Sequence, residues 1–139
     1  MEWLKAFVSG FVSTLIFHQG LFAVLHLAGM IPVAPYNFTP VPPFGVPAVV
    51  SLSFFGGLWG ILLWALVRRR IGWAHWGLSI LFGAIAPTLV AMLVVFPLKG
   101  AEPTAQMWIG GLLLNGMWGL GVAICMALAG AQRSSVTKA

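Results

Sequence analysis

Charged residues are scarce in this sequence, and their scarcity excludes an ordinary soluble fold. Only 6% of the 139 residues are charged and 60% are hydrophobic, whereas roughly 25% of residues are charged in a typical soluble domain. A chain of this composition cannot cover its surface with polar side chains in water. We therefore expect a membrane protein whose partner is the lipid bilayer.

Acidic residues are even scarcer than basic ones. The only two, Glu2 and Glu102, lie at the edges of apolar runs. Carboxylate-driven coupling to protons or cations, as in small multidrug exporters, would lack its central residue. The net charge of +5 does not indicate nucleic acid, because the basic residues fall between apolar runs and form no basic face.

Cysteine and histidine are too few for the common catalytic or metal sites. The single cysteine, Cys125, excludes an intrachain disulfide and a multi-cysteine metal site. A metal site needs three or four ligands, so we predict none. Haem could bind only between two subunits, with His18 of each subunit as a ligand. Without a nucleophile elbow or a phosphate loop, we predict no enzymatic activity and no cofactor.

Four long apolar runs dominate the chain, at about residues 3–30, 47–67, 72–96 and 103–131. Each contains at least the roughly 20 residues that cross about 30 Å of hydrocarbon as a helix. The runs are too long for strands of a membrane barrel, and the first is too long for the apolar region of a signal peptide. We predict an all-α fold, in which residues 1–139 form a single domain with four transmembrane helices in a compact bundle.

The basic residues predict the orientation of the helices. With the N-terminus inside, six of the seven Lys and Arg residues are cytoplasmic and only Lys99 lies outside, as the positive-inside rule requires. The six are Lys5, Arg68, Arg69, Arg70, Arg133 and Lys138. We therefore predict a bacterial inner-membrane protein with both termini cytoplasmic.

The connection between the first two runs, residues 31–47, holds six of the nine prolines and no charge. Proline at this density forbids a helix and favours extended backbone. The orientation makes this Pro-rich segment periplasmic. Two interpretations stay open: it folds back as a lid onto the end of the bundle, or it is a stiff connector in the headgroup region.

Small residues recur at four-residue spacing in every run. They allow helix backbones to approach closely in lipid, where burial of apolar surface contributes little. The candidates for helix packing are Gly56, Gly60, Gly83 and Gly119. One helix pair requires only two rows of small residues, and here every run carries one. This surplus favours a compact bundle and also self-association.

Polar residues fall near the middle of the bilayer when depth is counted at about 1.5 Å per residue. They are His18, Gln19, Asn115, Thr14, Thr88 and Ser53. Polar groups at this depth are costly, so they are candidates for a polar path or a ligand site. The alternative is hydrogen bonding between helices, worth roughly 1 kcal/mol each. His26 is predicted at the periplasmic end, beneath the Pro-rich segment.

Residues 76–103 read WGLSILFGAIAPTLVAMLVVFPLKGAEP. The Trp-Gly-Leu start and the Phe-Pro-Leu-x-Gly exit, formed by Phe96, Pro97, Leu98 and Gly100, resemble the corresponding segment of the YagU-like bacterial inner-membrane proteins, which are largely uncharacterised. The resemblance implies a four-helix inner-membrane protein and says little about activity.

Three functional hypotheses follow from these features. The first is a non-enzymatic protein that acts by association, as a homo-oligomer or as an accessory subunit of a membrane complex, with no nucleic-acid partner. The second is a small channel or transporter for an uncharged or anionic solute. The third, which depends on His18 alone, is a haem- or quinone-binding electron carrier.

Overall fold

The computed structural model of the protein describes residues 1–131, most of which are helical. Four helices are long and apolar enough to cross a membrane: Glu2–Leu27, Ala48–Val67, Gly72–Leu98 and Ala105–Leu128. This confirms the predicted number of helices that are long and apolar enough to span a membrane. Arg133 and Lys138, which contributed to the predicted orientation, lie outside the described residues.

The sequence predicted that the first helix extends to about residue 30. In the structure it ends at Leu27. Gly29 adopts a left-handed conformation with φ of 75°, which glycine tolerates without steric cost. Its N–H donates to the carbonyl of His26 at 3.0 Å, and the N–H of Met30 donates to the carbonyl of Leu25 at 2.9 Å. These two bonds form a Schellman motif, which satisfies the last carbonyl groups of the helix and turns the chain out of it.

The third and fourth helices also differ from the predicted bounds. Gly100 forms the same type of cap, so the third helix ends at Leu98, slightly beyond the predicted end at residue 96. The fourth helix begins at Ala105 and not at residue 103, because the hydroxyl of Thr104 caps it by accepting the N–H of Met107 at 3.3 Å. It ends at Leu128, before the predicted end at residue 131.

Two of the helices contain a π-helical turn, at Thr14–His18 in the first and Ala91–Val95 in the third. The N–H of Gln19 reaches back to the carbonyl of Thr14, so the usual bond to the carbonyl of Leu15 is missing. A π-helical turn widens the helix locally and frees backbone groups for other partners. The sequence analysis did not predict either turn.

The helices pack in pairs. The first packs mainly against the second and the third against the fourth, while the first and fourth also contact each other. The second and third contact each other less extensively. Buried side chains cluster near the N-terminal end of the first helix; they are Ala6, Leu63, Trp64, Val67, Trp118, Val122, Met126 and Ala131.

Glycines set the separation of both helix pairs. Gly56 lies so close to Gly10 and Thr14 of the first helix that an added Cβ would collide with the Thr14 hydroxyl. A Cβ at Gly60 would lie 2.5 Å from the carbonyl oxygen of Ala6. In the other pair, a Cβ at Gly83 would lie 2.8 Å from the Cα of Gly119. These distances leave no room for a side chain at the crossing points.

The connection between the first and second helices contains a short hairpin that the all-α prediction did not include. Strand β1, Pro40–Val41, pairs antiparallel with β2, Val46–Pro47, in the register Pro40 to Pro47 and Val41 to Val46. The carbonyls of Asn37 and Thr39 then accept the first N–H groups of the second helix, those of Val49 and Ala48, both at 2.9 Å.

Candidate functional sites

The six polar residues at mid-depth form three separate groups in the structure. Thr88 and Asn115 lie between the third and fourth helices, Thr14 and Ser53 belong to the first pair of helices, and His18 and Gln19 lie beside the Pro-rich segment. Within residues 1–131, no hydrogen bond connects one group to another. Their similar depth therefore does not place them around one path.

Asn115 and Thr88 form a hydrogen bond between the third and fourth helices. The amide Nδ2 of Asn115 donates to the Thr88 Oγ1 at 2.9 Å, and Thr88 is fully buried. The pair lies near Gly111 and Met92, since a Cβ at Gly111 would lie 3.0 Å from side-chain atoms of both Met92 and Thr88. This geometry is that of an interhelical contact in lipid.

The hydroxyls of Thr14 and Ser53 bond to their own helices. Thr14 Oγ1 donates to the carbonyl of Gly10 at 3.0 Å, and Ser53 Oγ donates to the carbonyl of Val49 at 2.8 Å. Such bonds to the preceding turn satisfy a buried hydroxyl without any partner on another helix.

Gln19 connects the first helix to the Pro-rich segment. Its Oε1 accepts the backbone N–H of Tyr36 at 2.7 Å, and its Nε2 lies 3.2 Å from the Nδ1 of His18. Because a backbone N–H can only donate, the amide oxygen must face Tyr36 and the amide nitrogen must face His18. The Nδ1 of His18 is then the acceptor, and in the neutral ring the proton sits on Nε2.

Tyr36 makes a second bond to the same helix. Its hydroxyl donates to the carbonyl of Leu15 at 2.7 Å. Leu15 lies within the π-helical turn, where its carbonyl does not receive the N–H of Gln19. The irregular turn thus provides the acceptor that holds Tyr36.

Other bonds fix the start of the Pro-rich segment. The ring of His26 donates through Nδ1 to the carbonyl of Ile31 at 2.8 Å, since a carbonyl only accepts. The side chain of Gln106 on the fourth helix donates to the carbonyl of Met30 at 3.1 Å. His26 therefore lies against the segment, and its ring has a structural partner there.

A pocket of about 170 Å³ lies between the Pro-rich segment and the first two helices. Its lining combines apolar and neutral polar side chains: Gln19, Phe22, Val33, Ala34, Tyr36, Asn37, Ala48, Val49 and Leu52. Gln19, at 4% exposure, is the most deeply buried polar member.

A longer groove of about 350 Å³ lies between the first and fourth helices near the N-terminus. It is lined by Met1, Leu4, Lys5, Val8, Ser9, Val12, Cys125 and Ala129. Apart from Lys5, whose Nζ donates to the carbonyl of Ala129 at 2.9 Å, the lining is small or apolar.

Trp118 joins the first and fourth helices, a role that the sequence analysis missed. Its Nε1 donates to the carbonyl of Gly10 at 3.0 Å, and its own carbonyl accepts the hydroxyl of Ser13 at 2.8 Å. The available signal was its position: tryptophan is enriched at membrane interfaces, whereas Trp118 falls in the middle of a span.

His75 and Trp64 are buried with unpaired polar atoms. Both side chains are fully buried, and Trp64 Nε1 and both ring nitrogens of His75 have no hydrogen-bond partner among the described residues. The backbone of Val67 interacts with His75 but not in hydrogen-bond geometry. The rings of Trp64 and His75 meet edge to face at 6.4 Å. The sequence carried no signal for this burial.

Residues 1–131 contain no group of three or more His, Cys, Asp or Glu side chains that could hold a metal ion. No family model matches the chain, and neither a curated protein nor a solved structure is similar to it. The resemblance of residues 76–103 to the YagU-like proteins stays a prediction.

Proposed function

We propose that this chain is a non-enzymatic inner-membrane protein that acts by association, with the groove between its first and fourth helices receiving a transmembrane helix of another polypeptide. The groove is the observation that supports the proposal. The partner is either a second copy of the chain or a subunit of a larger membrane complex.

The packing inside one copy of the chain supports a function at its surface rather than a transport path through its interior. Backbones touch at the glycine crossings in both helix pairs, and each of the six mid-depth polar residues has a hydrogen-bond partner inside one copy of the chain. The glycine contacts leave no room for a solute where the helices of each pair cross. The channel hypothesis would therefore need an interface between copies.

The dimensions of the groove suit a helix. From Met1 to Val12 it follows the first helix for about 16 Å, which is close to half of the roughly 30 Å hydrocarbon thickness. Small side chains on both sides, Ser9, Cys125 and Ala129, permit the close packing on which helix association in lipid depends.

The orientation that we propose places this groove in the cytoplasmic leaflet. Lys5 and the Arg68–Arg70 cluster lie at the same end of the molecule, as shown by the guanidinium of Arg68 lying 5.4 Å from the ring centre of Trp3. Under the positive-inside rule this end faces the cytoplasm, and the Pro-rich segment faces the periplasm as a lid.

Native mass spectrometry of gently solubilised protein tests the association. We expect a defined complex with a second copy or a second polypeptide, and we expect Ala129→Phe to dissociate it by filling the groove. Ala28→Phe is the matched control, because Ala28 is also exposed but lies at the opposite end of the first helix. The same sample's visible spectrum would reveal haem bound between two copies through His18.

A strictly monomeric protein without bound polypeptide, or a complex unaffected by Ala129→Phe, would contradict the proposal. Oxidative cross-linking separates the two kinds of partner. Because Cys125 is the only cysteine and lines the groove, a disulfide-linked dimer through Cys125 would identify the partner as a second copy with a symmetric interface.

A further inference from the structure

We propose that the pocket beneath the Pro-rich segment binds a neutral molecule the size of one substituted benzene ring that carries a hydroxyl or amide group. The pocket is at the opposite end of the first helix from the groove. It is therefore a site independent of the proposed association.

The size of the pocket sets the size of the ligand. Its volume of about 170 Å³ is close to that of an engineered protein cavity of about 150 Å³ that binds benzene. Six of the nine lining residues have apolar side chains: Phe22, Val33, Ala34, Ala48, Val49 and Leu52. No charged side chain lines the pocket, so burial of an ionised ligand would be uncompensated.

The spare hydrogen-bonding capacity of Gln19 sets the polar group of the ligand. A primary amide offers two N–H donors and two oxygen lone pairs. In Gln19, one donor is used by His18 Nδ1 and one lone pair by the N–H of Tyr36. One donor and one acceptor remain on a side chain that is only 4% exposed. A group that both accepts and donates, a hydroxyl or an amide, matches them.

The backbone of Tyr36 is an independent indication of a ligand site. With φ of 54°, Tyr36 is the sole residue other than glycine in the left-handed region among residues 1–131. Strained residues of this kind cluster at ligand clamps and active sites, and π-helical turns are frequent at functional sites. Here both features meet at the pocket, joined by the bond from the Tyr36 hydroxyl to Leu15.

The chain contains one tyrosine, which provides a specific reporter. Incorporation of 3-fluorotyrosine gives a single ¹⁹F resonance from the pocket wall. We would titrate the protein in lipid nanodiscs with benzamide, toluene and benzoate, which share a ring and differ in the polar group. We expect a saturable shift with benzamide, saturation at about tenfold higher concentration with toluene, and no saturable shift with benzoate.

Two variants test whether the shift comes from this pocket. Ala48→Leu fills the pocket while keeping the backbone bond from residue 48 to Thr39, and we expect it to abolish the saturable shift. Gln19→Leu should remove the preference for benzamide over toluene. Gln106→Leu is its control, because Gln106 bonds to Met30 at the same end of the molecule but does not line the pocket.

Parallel, unsaturated shifts with all three compounds would mean that they only partition into the bilayer, and would overturn the proposal. So would a benzamide shift that persists in Ala48→Leu. The ligand-free ¹⁹F resonance of each variant shows whether Tyr36 keeps its native position, so a variant that releases the segment is recognised before titration.

Discussion

Single side chains in this protein differ in how well their buried polar atoms are satisfied. Asn115 and Thr88 satisfy each other across two helices. Trp64 and His75, which are both fully buried, leave three polar atoms without a partner among the described residues. An unpaired buried polar atom costs more than a formed hydrogen bond contributes, so substitutions at the two places should have opposite effects on stability.

The bond between Asn115 and Thr88 should contribute little to stability. In a double-mutant cycle with Asn115→Leu and Thr88→Val, we expect a coupling energy of about 0.6 kcal/mol, as in other membrane helix pairs. Unfolding in mixed micelles, followed by tryptophan fluorescence, measures it. A coupling energy of zero would contradict this expectation and show that the bond makes no net contribution to stability in the micelles.

The substitution His75→Phe should leave the protein as stable as before or make it more stable. It keeps the edge-to-face packing against Trp64 and Trp76 and removes two unpaired buried nitrogens. The expected gain in the free energy of unfolding is up to about 1–3 kcal/mol, measured in the same micelles. His26→Phe is the control and should be destabilising, since it removes the bond to Ile31.

A loss of stability in His75→Phe would contradict this expectation. A buried water that satisfies the ring nitrogens, or overpacking by the larger phenyl ring, would produce such a loss.

At the scale of helices, the glycines are of two kinds. Some lie where two helices cross and allow the backbones to touch, and others face outward. Gly83 lies against Gly119 and the backbone of Asn115, whereas an added Cβ at Gly77 or Gly110 would meet nothing within 4 Å. Spacing along the sequence does not distinguish these positions. The small residues predicted as a surplus for self-association are largely used within one chain.

Gly83→Ala and Gly77→Ala should therefore differ in sign. A Cβ at Gly83 would lie 2.7 Å from the carbonyl oxygen of Asn115, and overpacking of this kind costs about 1–3 kcal/mol. At Gly77 the methyl group has open space, and the higher helix propensity of alanine should raise stability by up to about 1 kcal/mol. Thermal unfolding in detergent compares the two; equal effects would contradict the observed packing of the third and fourth helices.

The number of helices was predictable because it depends on the length and composition of each apolar run, which are properties of the sequence alone. The helix ends were predicted only approximately, because the C-terminal caps that Gly29 and Gly100 form were not taken into account. The π-helical turn and the position of Tyr36 were not, since they depend on contacts between residues far apart in the chain. The depth of a residue along a helix also does not tell in which direction its side chain points around the helix axis. The hydrogen-bond partner of each polar residue was therefore unpredictable.

At the scale of the whole molecule, the two ends differ in charge and in the side chains that they expose. Lys5 and the Arg68–Arg70 cluster lie at one end. The other end carries the Pro-rich segment, where the side chains of Phe38 and Phe44 are exposed. Aromatic residues at headgroup level anchor a protein in the interface. This asymmetry, rather than any single residue, determines the orientation that we propose.

Labelling of introduced cysteines tests that orientation. In a Cys125→Ser background, we expect a membrane-impermeant maleimide to label Phe44→Cys in intact spheroplasts and Arg70→Cys only after permeabilisation. Phe44 is 87% exposed at the tip of the hairpin, so its access depends on the compartment and not on burial. The Arg68–Arg70 cluster should stay on the cytoplasmic side, because basic residues in short loops resist translocation.

The reversed labelling pattern would contradict the proposed topology and move both surface sites to the other side. The groove would then lie in the outer leaflet, where a partner helix would meet it from the periplasmic half of the bilayer. The pocket beneath the Pro-rich segment would take its ligand from the cytoplasm. Labelling of both positions in intact spheroplasts would indicate insertion in two orientations, and charge would then fail to fix the topology even with Lys99 alone at the opposite end.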